Sequence, residues 1–458
     1  MIVNISLWNE KVGAVLWEKG SGLAVVEFAP SFLKKNLDLA PLTMPLKNLL
    51  KGKRIYSFAQ LNQETYKGLP GLLADSLPDK YGNALIDAWL LQKGLPIESF
   101  TPVDRLCYIG NRGMGALEYE PSILSKNESS FNVNIGEMVD LVNSVMERKK
   151  ELHTNLINNK NEAVLKILQI GTSAAGARPK AVIALNDNSG EIRSGSLIAP
   201  EGFSHWIIKL DGVSSDSLGE SKGFGNIEYA YSKMAKDAGI RMSDCLLLEE
   251  NNRSHFLTRR FDRQGNQKLH MQSLCAIAHY DFNDPNLYTY EHAFSVMRQL
   301  KLDYAQSEQL FRVMAFNVMA NNCDYHTRNI SFLMNPQGKW SLSPAYDLTY
   351  AYDQNNIWLR RHQLSVNGKR EIITFRDMLQ LARTVNITGA EKILIHIKQV
   401  VSEWIGYAKS SGVNIKNQIA INNQINNTLM VLENKSQHYI SSEIVTSIKK
   451  EKNKGLSI

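Results

Sequence analysis

The sequence has few of the features that place a protein in a membrane or an oxidising compartment. It contains four cysteines in 458 residues, none of them in C-x-x-C spacing, which predicts neither a disulfide framework nor a zinc site. No apolar run reaches about 18 residues, and no basic segment precedes a long apolar one at the start. We therefore expect reduced thiols, no membrane association and a cytoplasmic location. The cysteines are Cys107, Cys245, Cys275 and Cys323.

Two common phosphate-binding signatures are also missing. The segment 110–115 has three glycines but not the G-x-G-x-x-G order, and the small-residue segment 171–180 lacks the Gly-Lys-Ser/Thr of a Walker A loop. A formal net charge of +7 and a pI near 9.0 suit an acidic ligand such as ATP or nearby nucleic acid, but establish neither. The composition, 43% hydrophobic and 21% charged, is that of a globular protein of two or three domains.

The most informative stretch is 321–329, with the turn-rich segment that follows it. Asp324 and Asn329 stand in a D-x-x-x-x-N spacing, which protein kinases use for a catalytic base and a magnesium-holding amide. The next residues predict a β-hairpin, with strands at 329–334 and 339–343 around a Pro-Gly turn. That hairpin would bring Asp347 beside Asn329. A lone Asp or Asn is usually a turn former or cap, but this combination predicts Mg-nucleotide phosphoryl transfer.

A second group of residues precedes that stretch. The small side chains of 171–180 allow close approach of backbone N–H groups to phosphate oxygens, and they run into an apolar strand at 181–185. Lys209 lies within another apolar strand, predicted at 206–210. A helix at 226–238 follows, and its Glu228 is placed to reach back to Lys209. A strand lysine is often an edge residue, yet a lysine–glutamate pair after such a loop is the arrangement of a kinase small lobe.

The predicted fold is α+β, with a two-lobed protein-kinase-like architecture, an N-terminal α+β subdomain and a mainly helical C-terminal lobe. Alternating apolar residues predict strands within 1–30, and a helix is expected at 83–93. Asp75 and Asp79 lie among Pro, Ser and Gly residues, so they are interpreted as turn formers or caps rather than metal ligands. The predicted boundaries are 1–130 for the N-terminal subdomain, 131–168 for a helical linker, 169–265 for the small lobe, 266–440 for the helical lobe and 441–458 for a basic tail. Within the helical lobe, helices are expected at 290–300, 304–320, 373–385, 389–410 and 417–434.

The order of these motifs resembles that of the HipA family of serine/threonine kinases, the toxins of bacterial toxin–antitoxin pairs. The resemblance covers nearly the whole chain. The segments that carry it are 68–79 in the N-terminal part, 173–180 as the phosphate loop, 260–263 as the connector, 324–329 as the catalytic loop and the Tyr346-Asp347 pair as the metal motif.

The resemblance implies a role for each matching residue. Asp324 would be the general base, His326 would sit in the active loop, and Asn329 and Asp347 would hold Mg²⁺. Ser173 matches an autophosphorylated serine. The residues implied in ATP binding are Ala175, Gly176, Ala177, Arg178, Pro179, Lys180, Lys209, Glu228, Arg259, Arg260, Phe261 and Tyr346.

The resemblance also implies partners. Family members bind a small helix-turn-helix antitoxin and, with it, operator DNA, and an aminoacyl-tRNA synthetase is one family target. Two features depart from the family pattern: Arg178-Pro179 replaces a Gln-Glu type pair, and Arg259 replaces an acidic residue. Two other functions stay open from the residues alone. One is a small-molecule or lipid kinase, and the other is a corepressor that acts only by binding antitoxin and DNA.

Overall fold

The structure is a computed structural model, and it describes residues 1–123, 131–140, 142–143, 179–195, 198–213 and 222–432. Ser173 and the loop residues Ala175, Gly176, Ala177 and Arg178 lie outside the described residues, as do most of the predicted linker and the basic tail. In the described part, no helix is both long and apolar enough to cross a bilayer.

The N-terminal part is built on a five-stranded antiparallel sheet in the order β4-β3-β2-β1-β5. Its alternating sequence places one face in the core, with Val3, Ile5 and Leu7 of β1 buried. Short helices cover that face. The strands are β1 Ile2–Leu7, β2 Glu10–Glu18, β3 Leu23–Phe28, β4 Ile55–Tyr56 and β5 Leu117–Glu120. The helices are Pro30–Leu33, Leu46–Leu50, Gln63–Tyr66, Gly71–Ala74, Lys80–Gln92 and Pro102–Ile109.

The small lobe is a second five-stranded antiparallel sheet, in the order β7-β6-β8-β10-β9. Six of the seven residues of its strand β6 are buried. The helix Lys80–Gln92 and the helix at 135–140 supply apolar residues to one of the clusters around it. The strands are β6 Lys180–Asn186, β7 Ile192–Ser194, β8 Phe203–Lys209, β9 Cys245–Glu250 and β10 Arg253–Arg259. The helix Phe224–Asp237 packs against β10 and β9.

The rest of the chain is mainly helical, as predicted. One prediction was wrong in detail: the single helix expected at 389–410 is divided at Glu403 into Ala390–Ser402 and Trp404–Ser410. The break allows the Trp404 ring to pack in the core against Tyr231, with 5.4 Å between ring centroids. The remaining helices are Leu274–Ala278, Tyr290–Gln299, Tyr304–Met319, Phe375–Thr384 and a final helix described over 415–432.

A three-stranded sheet carries the predicted catalytic stretch. The expected hairpin forms from β14 Ser331–Met334 and β15 Trp340–Leu342. A strand that the sequence did not predict, β13 His270–Ser273, pairs with the other side of β14. A short two-stranded ribbon, β11 Arg263–Gln264 and β12 Gln267–Lys268, precedes it. The catalytic loop therefore leads into the central strand of a sheet and is fixed from both sides.

The N-terminal part and the kinase-like part share one hydrophobic core. A single cluster of buried apolar residues runs from Val3 in β1 to Leu432 in the last described helix. A buried ion cluster adds polar contacts between the two parts. Asp262 pairs with Arg260 and Arg263 at 2.8 and 2.7 Å and accepts the Gly115 N–H at 2.7 Å. The Gly-rich segment 110–115 thus contacts the connector.

Candidate active site

The catalytic loop is held by its own side chains. The Asn329 amide oxygen accepts the backbone N–H of His326 at 3.0 Å, and the ring Nδ1 of His326 accepts the N–H of Arg328 at 3.2 Å. These bonds fold 326–329 into a compact turn. His326 therefore acts as an acceptor within the loop. Burial, with the Arg328 guanidinium nearby, lowers its pKa to about 4, so the ring is neutral at pH 7.

Asp347 arrives beside Asn329, as the hairpin predicts. The Asn329 amide nitrogen donates to Asp347 Oδ2 at 3.1 Å. Asp347 has a positive φ of 54°, a conformation that Asp tolerates better than most residues because of its short polar side chain. The Asn322 amide fixes this turn by donating to the Asp347 carbonyl at 3.3 Å and to Asn317 Oδ1 at 2.9 Å. Asn322 and Asn317 are supporting residues that the sequence analysis did not identify.

Lys209 joins the two lobes at the site. It lies at the end of β8 and forms ion pairs with both Glu228 and Asp347. Glu228 comes from the helix Phe224–Asp237 and is almost fully buried. The predicted Lys209–Glu228 pair is thus present, and the Asp347 contact, 138 residues away in the chain, is an addition that the sequence analysis missed.

A second lysine lies directly beside the first. Lys180 opens β6 and is the register partner of Lys209 across the antiparallel pair β6–β8. Burial lowers the pKa of Lys180, and the Asp347 carboxylate opposes this shift. For Lys209, burial also acts to lower the pKa, but Asp347 and Glu228 outweigh it and raise the value to about 12. Two cations therefore converge on one carboxylate.

The same charges act on Asp347 in return. Burial alone would raise the pKa of its carboxyl group, but Lys209 and Lys180 hold the pKa well below its usual range. Asp347 is therefore fully ionised at neutral pH. An ionised carboxylate and an amide supply oxygen ligands of the kind that a hard cation binds.

The residues at this point fit a magnesium ion by their chemistry. Asp347 offers carboxylate oxygens, and Asn329 offers an amide oxygen that here accepts the His326 N–H. Within the described residues there is no cluster of three or more His, Cys, Asp or Glu side chains that forms a metal site by itself. One carboxylate and one amide suit Mg²⁺, which usually keeps waters and takes further oxygens from a nucleotide.

Asp324 lies on the open side of the loop. Its side chain is exposed, while its neighbours Cys323 and Tyr325 are buried. The backbone beside it is anchored, since the Cys323 N–H donates to the Ala351 carbonyl at 2.9 Å and the Cys323 carbonyl accepts the Gln363 N–H at 3.0 Å. A carboxylate fixed in position but open to solvent can be reached by a hydroxyl group on a large substrate.

Tyr346 and Phe261 form the aromatic part of the site. Their rings lie 5.5 Å apart at an angle of 40°. The Tyr346 hydroxyl donates to the Arg328 carbonyl at 2.5 Å and lies 2.6 Å from the Ser331 hydroxyl. The connector therefore contacts the catalytic loop through this aromatic pair. That the pair lines an adenine pocket stays a prediction.

The connector arginines have other partners in the structure. The Arg259 guanidinium binds Asp187 at 2.7 Å and lies over the Trp206 ring, and Arg260 is buried against Asp262. Both side chains thus form ion pairs with carboxylates. Pro179 lies at the edge of the described residues, where its carbonyl accepts the Leu210 N–H at 2.9 Å. A nucleotide-binding role for these residues remains a prediction.

The fold and the geometry of this site define a two-lobed α+β protein of the protein-kinase-like class. Two family models match the chain: the HipA-like C-terminal domain over residues 172–404 and the HipA N-terminal domain over residues 3–120. The first of these covers just over half of the chain. The chain belongs to the HipA family.

Individual relatives agree with this assignment. The chain is 21% identical over 267 residues to the serine/threonine-protein kinase toxin HipA of Shewanella oneidensis, an alignment that spans 51% of the chain and only 57% of that relative. A solved complex of HipA, HipB and operator DNA from the toxin–antitoxin system of Shewanella oneidensis MR-1 shares the fold, with a TM-score of 0.63 at 15% identity, over 93% of this chain and 95% of that one. The Helicobacter pylori proinflammatory kinase CtkA overlaps over 51% of this chain and 89% of that one, at 10% identity. Its TM-score of 0.33 is too low to show a shared fold.

Proposed function

We propose that this chain is an ATP- and Mg²⁺-dependent protein serine/threonine kinase that acts as the toxin of a toxin–antitoxin pair. The observation that carries the proposal is the position of Lys209, which bridges Glu228 and Asp347 while Asn329 contacts the same Asp347 carboxylate. Asp324 stands in the exposed turn of the same loop. These are the parts that a phosphoryl-transfer site requires.

Each residue has a definite task in that reaction. Lys209 and Lys180 would hold the nucleotide phosphates by charge, and Asn329 and Asp347 would hold Mg²⁺, which would supply neutralisation of phosphate charge. Asp324 accepts the proton of the incoming hydroxyl group. The hydroxyl oxygen then bonds to the γ-phosphorus as the bond from that phosphorus to the leaving ADP oxygen breaks. The exposure of Asp324 favours a hydroxyl on a protein over one on an enclosed small molecule.

The test compares three forms of the protein in a labelled-ATP assay with cell lysate and Mg²⁺. Wild type is expected to label protein bands, Asp324→Asn to lower the rate about 10²- to 10⁴-fold because the base is lost, and Asp347→Ala to abolish transfer. Label in extractable lipid or metabolite would favour the small-molecule kinase instead. Near wild-type transfer by either variant would contradict the assignment of the site.

Partner binding is proposed from the solved relative, which is a complex with HipB and operator DNA. We expect a small helix-turn-helix antitoxin to bind this chain and to supply specific DNA recognition. Because the net charge is only +7, the chain alone should bind duplex DNA weakly and with steep salt dependence. Tight, sequence-specific binding by the chain alone at physiological salt would contradict this proposal. The labelled-ATP assay addresses the corepressor function, because a corepressor would bind antitoxin and DNA but label no protein.

Regulation by autophosphorylation of Ser173 is part of the proposal. A phosphate there adds about −1.5 to −2 charge at neutral pH, next to the loop residues expected to contact ATP, and would repel the nucleotide. Incubation with Mg-ATP, phosphosite mapping and nucleotide titration of the two forms check this. Equal ATP affinity of both forms would defeat the mechanism, and phosphate on Thr172 alone would move the site by one residue. The cellular target is proposed, by family resemblance, to be a protein such as an aminoacyl-tRNA synthetase.

A further inference from the structure

One acidic residue of the N-terminal part contacts the catalytic half of the molecule. Asp75 follows the helix Gly71–Ala74, where its sequence setting predicts a turn former or cap. Its neighbour in that prediction, Asp79, is indeed the N-cap of Lys80–Gln92 and accepts the Gly82 N–H at 2.7 Å. Asp75 is the C-cap residue of its helix, as predicted, and its carboxylate also accepts the backbone N–H and the hydroxyl of Ser273, at 2.6 and 2.8 Å, across 198 residues of sequence.

Ser273 is the junction between β13 and the helix Leu274–Ala278. Its hydroxyl oxygen caps that helix by accepting the Ala276 N–H at 3.1 Å, and its register partner in the sheet is Ser331 of β14. One carboxylate therefore satisfies both donors of a residue that ends a strand and begins a helix. This fixes the backbone direction at the point where the chain turns toward the catalytic loop.

The two residues after Ser273 hold the loop itself. The Leu274 N–H donates to the Ile330 carbonyl at 2.7 Å, and the Cys275 N–H donates to the Thr327 carbonyl at 3.1 Å. These two carbonyls lie on either side of Asn329. A shift of the Ser273 backbone would therefore move the loop segment that presents Asn329 to Asp347.

Arg328, also in the loop, acts on the Asp75 carboxylate by its charge. Its guanidinium lies 4.6 Å from the centre of the Phe282 ring, and its carbonyl accepts the Tyr346 hydroxyl. Burial raises the pKa of Asp75, while the Arg328 cation and the Ser273 donors oppose that shift. The N-terminal part thus acts on the catalytic loop by hydrogen bonds through Ser273 and by charge through Arg328.

Close packing around this contact leaves little freedom for relative motion. A Cβ at Gly71 would lie 2.3 Å from the Ala276 carbonyl oxygen, so the helix Gly71–Ala74 approaches the helix Leu274–Ala278 backbone to backbone. The Gly71 N–H donates to His279 Nε2 at 3.0 Å, and the Tyr66 hydroxyl donates to the Cys275 carbonyl at 3.1 Å. These contacts of Gly71 and Tyr66 fix the N-terminal segment that carries Asp75.

We propose that Asp75 is a positioning residue for the catalytic loop, acting through Ser273 to set the place of Asn329 in the reaction. The N-terminal part is then a component of the active-site scaffold. The inference rests on the proposed kinase function. One readout of the test does not depend on activity, so the kinase proposal and the positioning role of Asp75 can fail separately.

The test uses the full chain with Asp75→Ala and Asp75→Asn, and Asp38 as the matched control. Asp38 is also an N-terminal aspartate whose pKa is raised by burial, and its carboxylate accepts the Leu46 N–H at 2.9 Å, within the same domain. Asp75→Ala is expected to lower the transfer rate at saturating Mg-ATP about tenfold to 100-fold, because small misplacements of a catalytic group have effects of that size. Affinity for ATP measured without Mg²⁺ should stay unchanged, because the Lys209 and Lys180 cations lie outside the loop that Asp75 positions. Asp75→Asn, which keeps an oxygen acceptor, should fall between Asp75→Ala and wild type.

Hydrogen exchange of the segment 324–334 gives the readout that does not depend on activity. Exchange should be faster in Asp75→Ala than in wild type or Asp38→Ala. If Asp75→Ala fails to fold, Asp75→Asn and Ser273→Ala are tested in its place, singly and together. The double variant should then transfer phosphate no more slowly than the slower of the two single variants. A rate loss no greater than in Asp38→Ala, a proportionate loss of ATP affinity, or unchanged exchange would each overturn the inference. If wild type transfers no phosphate, the kinase proposal fails, and the exchange comparison alone decides the role of Asp75.

Discussion

Lys209 is the single side chain on which most of the proposed site depends. It is the counter-ion of Glu228 and of Asp347 and lies beside Lys180 in the sheet. Because Glu228 is almost fully buried, its charge has a large desolvation cost without a partner. Lys209 therefore links the stability of the small lobe to the charge of the metal-binding carboxylate.

Replacing Lys209 tests both roles at once. Lys209→Met is expected to weaken ATP binding and transfer, and to destabilise the fold by about 3–5 kcal/mol because a buried charge loses its partner. Adding Glu228→Gln to it should restore part of the stability but none of the activity. ATP titration and urea unfolding measure the two effects. If affinity, transfer and stability all stay at wild-type values, Lys209 is only a strand-edge lysine.

At the scale of secondary structure, the placement of the helix Phe224–Asp237 decides whether Glu228 reaches Lys209. Its first turn contains Gly225, where a Cβ would lie 2.0 Å from the Ser254 carbonyl oxygen of β10. The glycine is required here by the close approach of helix and strand. Any side chain at this position must push the helix away from the sheet.

Gly225→Ala should therefore destabilise the protein by about 1–3 kcal/mol, as overpacked cores do, and reduce transfer because Glu228 moves away from Lys209. Gly406→Ala is the matched control: it is also a glycine within a helix, but nothing lies within 4 Å of the added Cβ. That change should stabilise by up to about 1 kcal/mol. Thermal unfolding and the transfer assay compare them, and equal behaviour of the two variants would contradict the packing argument.

Local patterns were sufficient to predict several of these elements. The hairpin β14–β15 follows from a turn sequence between two apolar runs, and the Lys209–Glu228 pair follows from a strand and the helix that comes next in the chain. The Asp75–Ser273 and Asp262–Gly115 bonds join residues 198 and 147 positions apart. No periodicity or spacing encodes such contacts, because they depend on how two domains pack. The strand β13 was missed for the same reason, since β14 defines it from across the sheet.

At the scale of the whole molecule, buried histidines make stability depend on pH. Burial lowers the pKa of His279, His326 and His362 to about 4 and that of His270 to about 3. Each ring is thus neutral in the fold at pH values where the unfolded chain, with a pKa near 6.5, already binds a proton. Stability is therefore complete above about pH 6.5 and falls as the pH drops toward 4, by at most about 1.4 kcal/mol per pH unit for each histidine. Asp262 and Asp347 have pKa values below the usual 3.8. The stability that their ionised forms provide is therefore lost only at a pH lower than the range in which the histidines act.

His279 offers a direct test of this dependence, because its Nε2 must be unprotonated to accept the Gly71 N–H. His279→Gln keeps an acceptor that does not titrate, so the decline in unfolding free energy between pH 6.5 and 4 should become shallower. The exposed His396 is the control, and His396→Gln should leave the slope unchanged. Urea unfolding at several pH values measures both. An unchanged slope in His279→Gln would contradict the assignment.

The shared core between the N-terminal and kinase-like parts has a consequence for how such genes can recombine. The two family models end and begin at 120 and 172, yet the apolar cluster and the Asp75, Asp262 and Gly71 contacts cross that division. A chimera that joins one half of this chain to the other half of a distant homologue would combine two surfaces that were never selected together. A chimera should therefore fold only if the residues that face each other across this division are exchanged together.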